Sequence, residues 1–197
     1  MSFTNIIRLA DANVTSTNYF IDANVWIYAI QGDLGVLTHS WQERYSEFFY
    51  DIIESNLEPK PKILMPSLLF SEILNRYLRI SFEEYKIENS IDENTQFRFK
   101  NEYRETDHYR ENYEKICDDV IGYEGSIIFM SDSALIQNNS PSYLTGSIGT
   151  FDFNDFFYCQ LCREYQKVNP VTILTNDGDF NINDIPIITS NRRLLSL

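Results

Sequence analysis

Short runs of β-branched and aromatic residues alternate along this chain with longer segments whose apolar residues recur at helical spacing. That alternation restricts the fold more than any other feature. Thr17–Ile21 (TNYFI) reads as a buried strand ending at Asp22, and Val25–Ile30 as the helix that follows, with Asp22 or Asn24 placed to cap it. From about Ser40 to Ser55, Trp41, Tyr45, Phe48, Phe49 and Ile52 repeat at helical spacing. Pro59 and Pro61 close that segment. Lys62–Met65 is then a short strand, and Pro66 and Ser67 open a helix to about Ile80. Near the other end come a helix over Asp152–Tyr165 and strands at Val171–Leu174 and Ile185–Ile188. Strands alternating with helices build an α/β domain with a mainly parallel sheet covered on both faces. In such sheets ligands bind outside the carboxyl ends of the strands.

The 197 residues suit one domain, and 43% hydrophobic content supplies its core. The stretch from about 81 to 150 interrupts the alternation and reads as an insert. Within it, Phe97–Val120 is long enough for an extended helix, Ser126–Met130 is a strand or a loop, and Asn138–Thr150 has the composition of a surface loop. No run approaches the roughly 18 apolar residues that span a bilayer, and the N-terminal sequence lacks a basic-then-apolar leader, so the expectation is a cytoplasmic chain with no membrane contact. Cys117, Cys159 and Cys162 are an odd number. The last two, in FFYCQLCREY, read as small apolar residues on one helix face rather than as a redox pair or half a zinc site.

Chemistry is carried by acids at the strand ends. Asp22 directly follows the first strand, and Asp177 follows Val171–Leu174 through Thr175 and Asn176. Glu72 lies about two helical turns beyond Lys62–Met65, and Asp155 stands in the first turn of a helix. Four separate segments thus deliver carboxylates toward one rim. Two carboxylates about 4 Å apart repel by roughly 4 kcal/mol at an effective dielectric near 20. Such a cluster takes up a proton or a cation. A donor set of oxygens without thiolate or imidazole suits Mg²⁺ or Mn²⁺. Asp22 and Glu72 also sit in otherwise apolar runs, where an unpaired charge is costly.

These segments resemble the motifs of PIN-domain nucleases. YFIDANVWIYAI is similar to the family's opening strand and helix, with Asp22 as its first acid, and PSLLFSEILNRYLR to the second motif, with Glu72. FDFNDFFYCQLC resembles the third motif and VTILTNDGDF the fourth. Order and spacing match over about the first eighty and the last fifty residues. The resemblance implies a three-layer PIN-like fold in which Asp22, Glu72, Asp155 and Asp177 gather one or two ions of Mg²⁺ or Mn²⁺, supported by Thr175 and Asn176. Asp179 either reaches a second ion or shapes the loop. Asp152 is an alternative to Asp155, which is preferred because it precedes the Phe-Phe-Tyr stripe about twenty residues before Thr175. Asp132, in SDSALI, imitates the third motif but lies too far from Thr175. The implied activity is hydrolysis of RNA, in some members as a toxin restrained by a protein antitoxin, and homodimers are common in the family. The insert at about 81–150 departs from the small toxin members.

Other readings compete. Asp22 and Asp155 could each cap a helix, and Asp177-Gly178 is a turn pair. The net charge of −13 opposes long-range attraction of a polyanion, although a bound divalent ion reverses the local sign. FRFKNEYRETDHYRENYEK interleaves aromatic and basic residues, but its equally frequent acids suggest a solvated helix laced with i,i+4 pairs. Arg76 and Arg79, one and two turns after Glu72, are better candidates for phosphate contacts. A PIN-like scaffold that no longer cuts and serves as an interaction module is the chief alternative function. An aspartyl phosphatase is disfavoured because Asn24 stands where a second Asp is needed.

Overall fold

The computed structural model describes residues 5–92, 94–131, 153–180 and 182–196, and the expected alternation organises it. Strand β1 (Ile6–Arg8) is followed by β2 (Asn18–Ile21), helices α1 (Ala23–Asp33) and α2 (Ser40–Glu54), strand β3 (Ile63–Pro66) and helix α3 (Ser67–Glu88). Then come α4 (Asp107–Gly122), β4 (Ile127–Met130), α5 (Phe153–Gln166), β5 (Val171–Leu174), β6 (Ile187–Thr189) and α6 (Arg192–Leu195). The strands form one sheet in the order β1-β6-β5-β2-β3-β4, every pair parallel. The fold is therefore α/β, a parallel sheet flanked by helices.

Two adjacent residues of β2 show how the layers arise. Neighbouring side chains on a strand point to opposite faces. Tyr19 meets Phe48 of α2 edge-on at 6.2 Å, whereas Phe20 meets Tyr158 of α5 at 4.9 Å. The sheet is thus sandwiched, and β3 and β5 are buried at every position, as parallel strands covered on both sides must be.

The topology also creates a crevice. From β2 the chain moves outward through β3 to β4, then returns to place β5 on the other side of β2. Register aligns Ile21 with Leu174, and the Asp22 amide continues the ladder to the Leu174 carbonyl at 3.0 Å. This reversal between β2 and β5 is where open parallel sheets bind ligands.

The insert departs from expectation. Helix α4 begins at Asp107 rather than near Phe97, because the Thr106 hydroxyl accepts the Tyr109 amide at 3.1 Å and caps a new helix there. Helix α3 runs on to Glu88, and Phe97, Phe99 and Tyr103 fold back on its Phe82 and Tyr85. The anticipated lacing of i,i+4 pairs is replaced, within that run, by one ion pair at i,i+3, Arg110–Asp107, among the described residues. Of the segment Ser126–Met130, Ile127–Met130 forms the edge strand β4. Strand β1 and helix α6, three and four residues long, are too short to leave a periodic signal. Asn138–Thr150, Asp132 and Asp152 lie outside the described residues. No described helix is long and apolar enough to cross a membrane.

Candidate functional site

Asp22 occupies the N-cap position of α1 with extended backbone angles, yet its side chain makes no capping bond. Capping therefore does not account for this acid. Its Oδ2 instead accepts the Thr175 hydroxyl at 3.0 Å and the Asn24 amide at 3.2 Å. Its Oδ1 has no hydrogen bond within the described protein and is not sealed from solvent. The residue as a whole is only 4% exposed. Burial pushes its carboxyl up to about 6, against the lowering pull of the Thr175 bond and of Arg76, while Glu72 and Asp177 add to the rise.

Thr175 is fully buried just past the end of β5, and its hydroxyl ties two candidate acids together. It donates to Asp22 and accepts the Asp177 amide at 2.9 Å. Asn176 is braced from the neighbouring strand end. Tyr45 of α2 donates to the Thr175 carbonyl at 3.0 Å and lies 3.2 Å from Asn176 Oδ1, and Asn191 donates to the Asn176 carbonyl at 2.7 Å. The turn role weighed for Asp177 is real, since its Oδ1 accepts the Asp179 amide at 2.9 Å. Asp179 faces away into an ion pair with Arg193 at 2.7 Å, which fits the loop-shaping role.

Glu72 is not the unpaired charge that its apolar surroundings suggested. Arg76, one turn on, grips its Oε1 through Nε at 3.0 Å and Nη2 at 2.7 Å. Its Oε2 accepts the Tyr158 hydroxyl at 2.9 Å and the Asn154 amide at 3.2 Å, both from α5. Asp155, next to Asn154 on the first turn of α5, exerts its charge on Tyr158 and Cys159. The first turn of α5 thus reaches Glu72 through an amide, and Asn154 is a site residue that sequence reasoning missed. A polar residue two before the Phe-Phe-Tyr stripe, one helical turn from Tyr158, was the available signal.

Arg76 stands at the electrostatic centre. Burial works against its charge, yet Glu72, Asp22 and Asp177 together hold its guanidinium above the usual value. Arg76 also donates to the Asn24 carbonyl oxygen, and Asn24 in turn donates to Asp22. Three carboxylates therefore act on one guanidinium, Glu72 in contact and Asp22 and Asp177 through space, a local excess of two negative charges. No group of three or more Asp, Glu, His or Cys side chains is assembled tightly enough to cage an ion among the described residues. The donor chemistry nonetheless fits a hard divalent cation: oxygens only, one acid desolvated with an open oxygen, and a residual charge of the matching size. The histidines stand elsewhere, His39 stacked on Trp41 at 5.8 Å and His108 bonded to Tyr103 at 3.0 Å.

Arg79 does not reach the acids. It lies on the same face of α3, lining with Ser71, Asn75, Arg76 and Asn154 a groove of about 280 Å³, and its guanidinium sits over the Phe99 ring at 5.3 Å. Cys159 and Cys162 are free and buried on α5, as small apolar residues would be. Compared with known protein families, characterised proteins and solved structures, the chain finds no match.

Proposed function

We propose that the protein is a divalent-metal-dependent ribonuclease of PIN type, with Asp22, Glu72, Asp177 and Asp155 as its acids and Mg²⁺ or Mn²⁺ as its cofactor. One observation carries this reading. Asp22 is a desolvated carboxylate at the switch point of a parallel sheet, free of any capping role, with one oxygen open and two further acids within electrostatic reach. Asp22, Glu72 and Asp177 would hold the cation, Asp155 standing at the entrance of α5. When bound, such an ion activates water and neutralises the charge that develops on a phosphodiester. The chain's own part is positioning. Thr175 and Asn24 hold the Asp22 carboxylate through Oδ2 and leave Oδ1 without a hydrogen bond among the described residues, and Tyr158 and Asn154 fix Glu72. Arg76 supplies a fixed positive charge beside the acids, where a phosphate oxygen would be received. A protein antitoxin, a homodimer and a cytoplasmic setting belong to the same reading.

The test is Mn²⁺-dependent cleavage of a mixed RNA pool by the intact chain beside Asp22→Asn. The wild type should cut and the variant should lose at least about 100-fold of the rate while remaining folded. Equal activity in both would sink the reading.

A second reading is favoured by the Arg76 clamp on Glu72. In it the guanidinium is the permanent counter-ion and the scaffold is an interaction module that does not cut. Titration calorimetry separates the two: Mn²⁺ heats that vanish in Asp22→Asn support the nuclease, and their absence from the wild type at millimolar ion supports the module.

A further inference from the structure

The groove along α3 does not end at the acids. Glu72, Asn75, Arg76 and Arg79 follow one another on one helix face, and Glu72 to Arg79 spans about 10 Å at 1.5 Å per residue. At the far end the insert contributes a second arginine. Arg104 lies over the same Phe99 ring at 5.4 Å, so that two guanidiniums from distant parts of the chain share one aromatic platform. Both arginines are exposed, and neither has a carboxylate partner among the described residues. Twenty-nine acidic residues against sixteen basic ones make carboxylates abundant in this chain, so this pairing of cations is not for want of them.

Phe99 is itself held from several sides. Phe82 at 5.6 Å, Tyr103 at 5.7 Å and Tyr109 at 6.2 Å surround it, so its position is fixed by packing. The arrangement therefore presents two like-charged forks to solvent, gathered on one ring, at the end of a groove that includes Glu72. A guanidinium fork matches the geometry of phosphate oxygens. Resting on the reading of the rim as a phosphodiester-cleaving centre, we propose that Arg79 and Arg104, gathered by Phe99, form an anion subsite that holds the backbone of single-stranded RNA a short distance from the acids. Arg76 is the intermediate point on that path. A chain this acidic repels polyanions at long range, so a local cationic pair of this kind confines binding to one track.

The test is a binding measurement that requires no cleavage. Fluorescence anisotropy with a labelled twelve-nucleotide RNA is read on the full chain in EDTA over a range of NaCl concentrations. Arg79→Gln and Arg104→Gln should each weaken binding about tenfold, and each should lower the slope of log K against log salt by about one. Arg79→Lys and Arg104→Lys should keep the slope, because the charge remains. A Lys60→Gln control, at an exposed residue that does not line the groove, should lose less than either. A DNA strand of the same sequence that shows the same losses supports the backbone contact. If Arg79→Gln loosens the insert, seen as a lowered Tm, the exposed Arg104→Gln carries the measurement. Wild-type binding retained in the glutamine variants, no RNA binding at all, or capture of a glutamate-rich peptide in place of RNA would overturn the proposal. Loss of binding in the variants of a protein that never cleaves RNA would sink the nuclease reading and leave the subsite standing.

Discussion

The two halves of α3 bury different things. Its first half presents Glu72 and Arg76 to the rim, where Asp22 is 4% exposed yet keeps a charge that its neighbours do not fully offset. Its second half presents Phe82 and Tyr85 to the insert, where Tyr103 is wholly buried among Phe82 at 5.1 Å, Tyr85 at 5.5 Å and Tyr109 at 5.5 Å. Burying rings removes apolar surface from water and stabilises the fold. Burying a carboxylate removes its hydration and costs free energy until something positive arrives. One helix thus carries a stabilising annex and a rim that holds a desolvated acid, and the proposed cation site rests on that contrast.

The largest effect that could break this contrast lies in the annex. Tyr103→Ala should destabilise by about 3–5 kcal/mol, as large aromatic truncations do. Hydrogen exchange should show the loss concentrated in residues 82–113, with β2 and β5 still protected. Uniform loss across the sheet would mean that insert and rim are one cooperative unit.

At the rim the sign is reversed. The folded protein holds the Asp22 proton more tightly than the unfolded chain, whose ordinary value is 3.8, because the folded value is about 6. Between those values the folded state loses stability as pH rises, and above about 6 the penalty is complete. Two pH units of difference correspond to roughly 3 kcal/mol. Asp22→Asn should therefore gain up to about that much relative to wild type at pH 7.5 in metal-free urea denaturation, and little at pH 3.5. A variant less stable than wild type at neutral pH would show that the carboxylate is compensated after all.

A ligand should recover what the acid costs. If Mn²⁺ binds the rim, an ion concentration a hundredfold above Kd stabilises the folded state by about 2.7 kcal/mol. The thermal shift should appear in wild type and not in Asp22→Asn. The smallest expected effect is that of Tyr158→Phe, which removes the 2.9 Å bond to Glu72 Oε2. It should cost about 1–2 kcal/mol and weaken Mn²⁺ binding about tenfold, while Phe20 keeps its ring contact.

Much of this was legible in the residues themselves. TNYFI, KILM and VTIL are apolar because both faces of a parallel strand are covered, so period, length and punctuation suffice to place them. The acids at their ends followed, since Asp22 and Asp177 come after strands whose parallel pairing brings their ends together. The insert was misread because Phe97, Phe99 and Tyr103 look the same in a helix as in a folded-back segment. Only Thr106 as a cap and the length of α3 decide between them.

Sequence alone thus determined the α/β class, the parallel sheet covered on both faces and the strand ends after which Asp22 and Asp177 stand, because hydrophobic period and strand-end position are local properties. Tertiary structure decided the pairings: that Glu72 is gripped by Arg76, that Asn154 reaches it from α5, and that Arg79 and Arg104 share Phe99. Two of these three join residues far apart in the chain, and even the Glu72–Arg76 step, adjacent on one helix, takes its weight from Asp22 and Asp177 on other segments. Charge interactions depend on distance in space and on exclusion of water, neither of which is written in the order of residues.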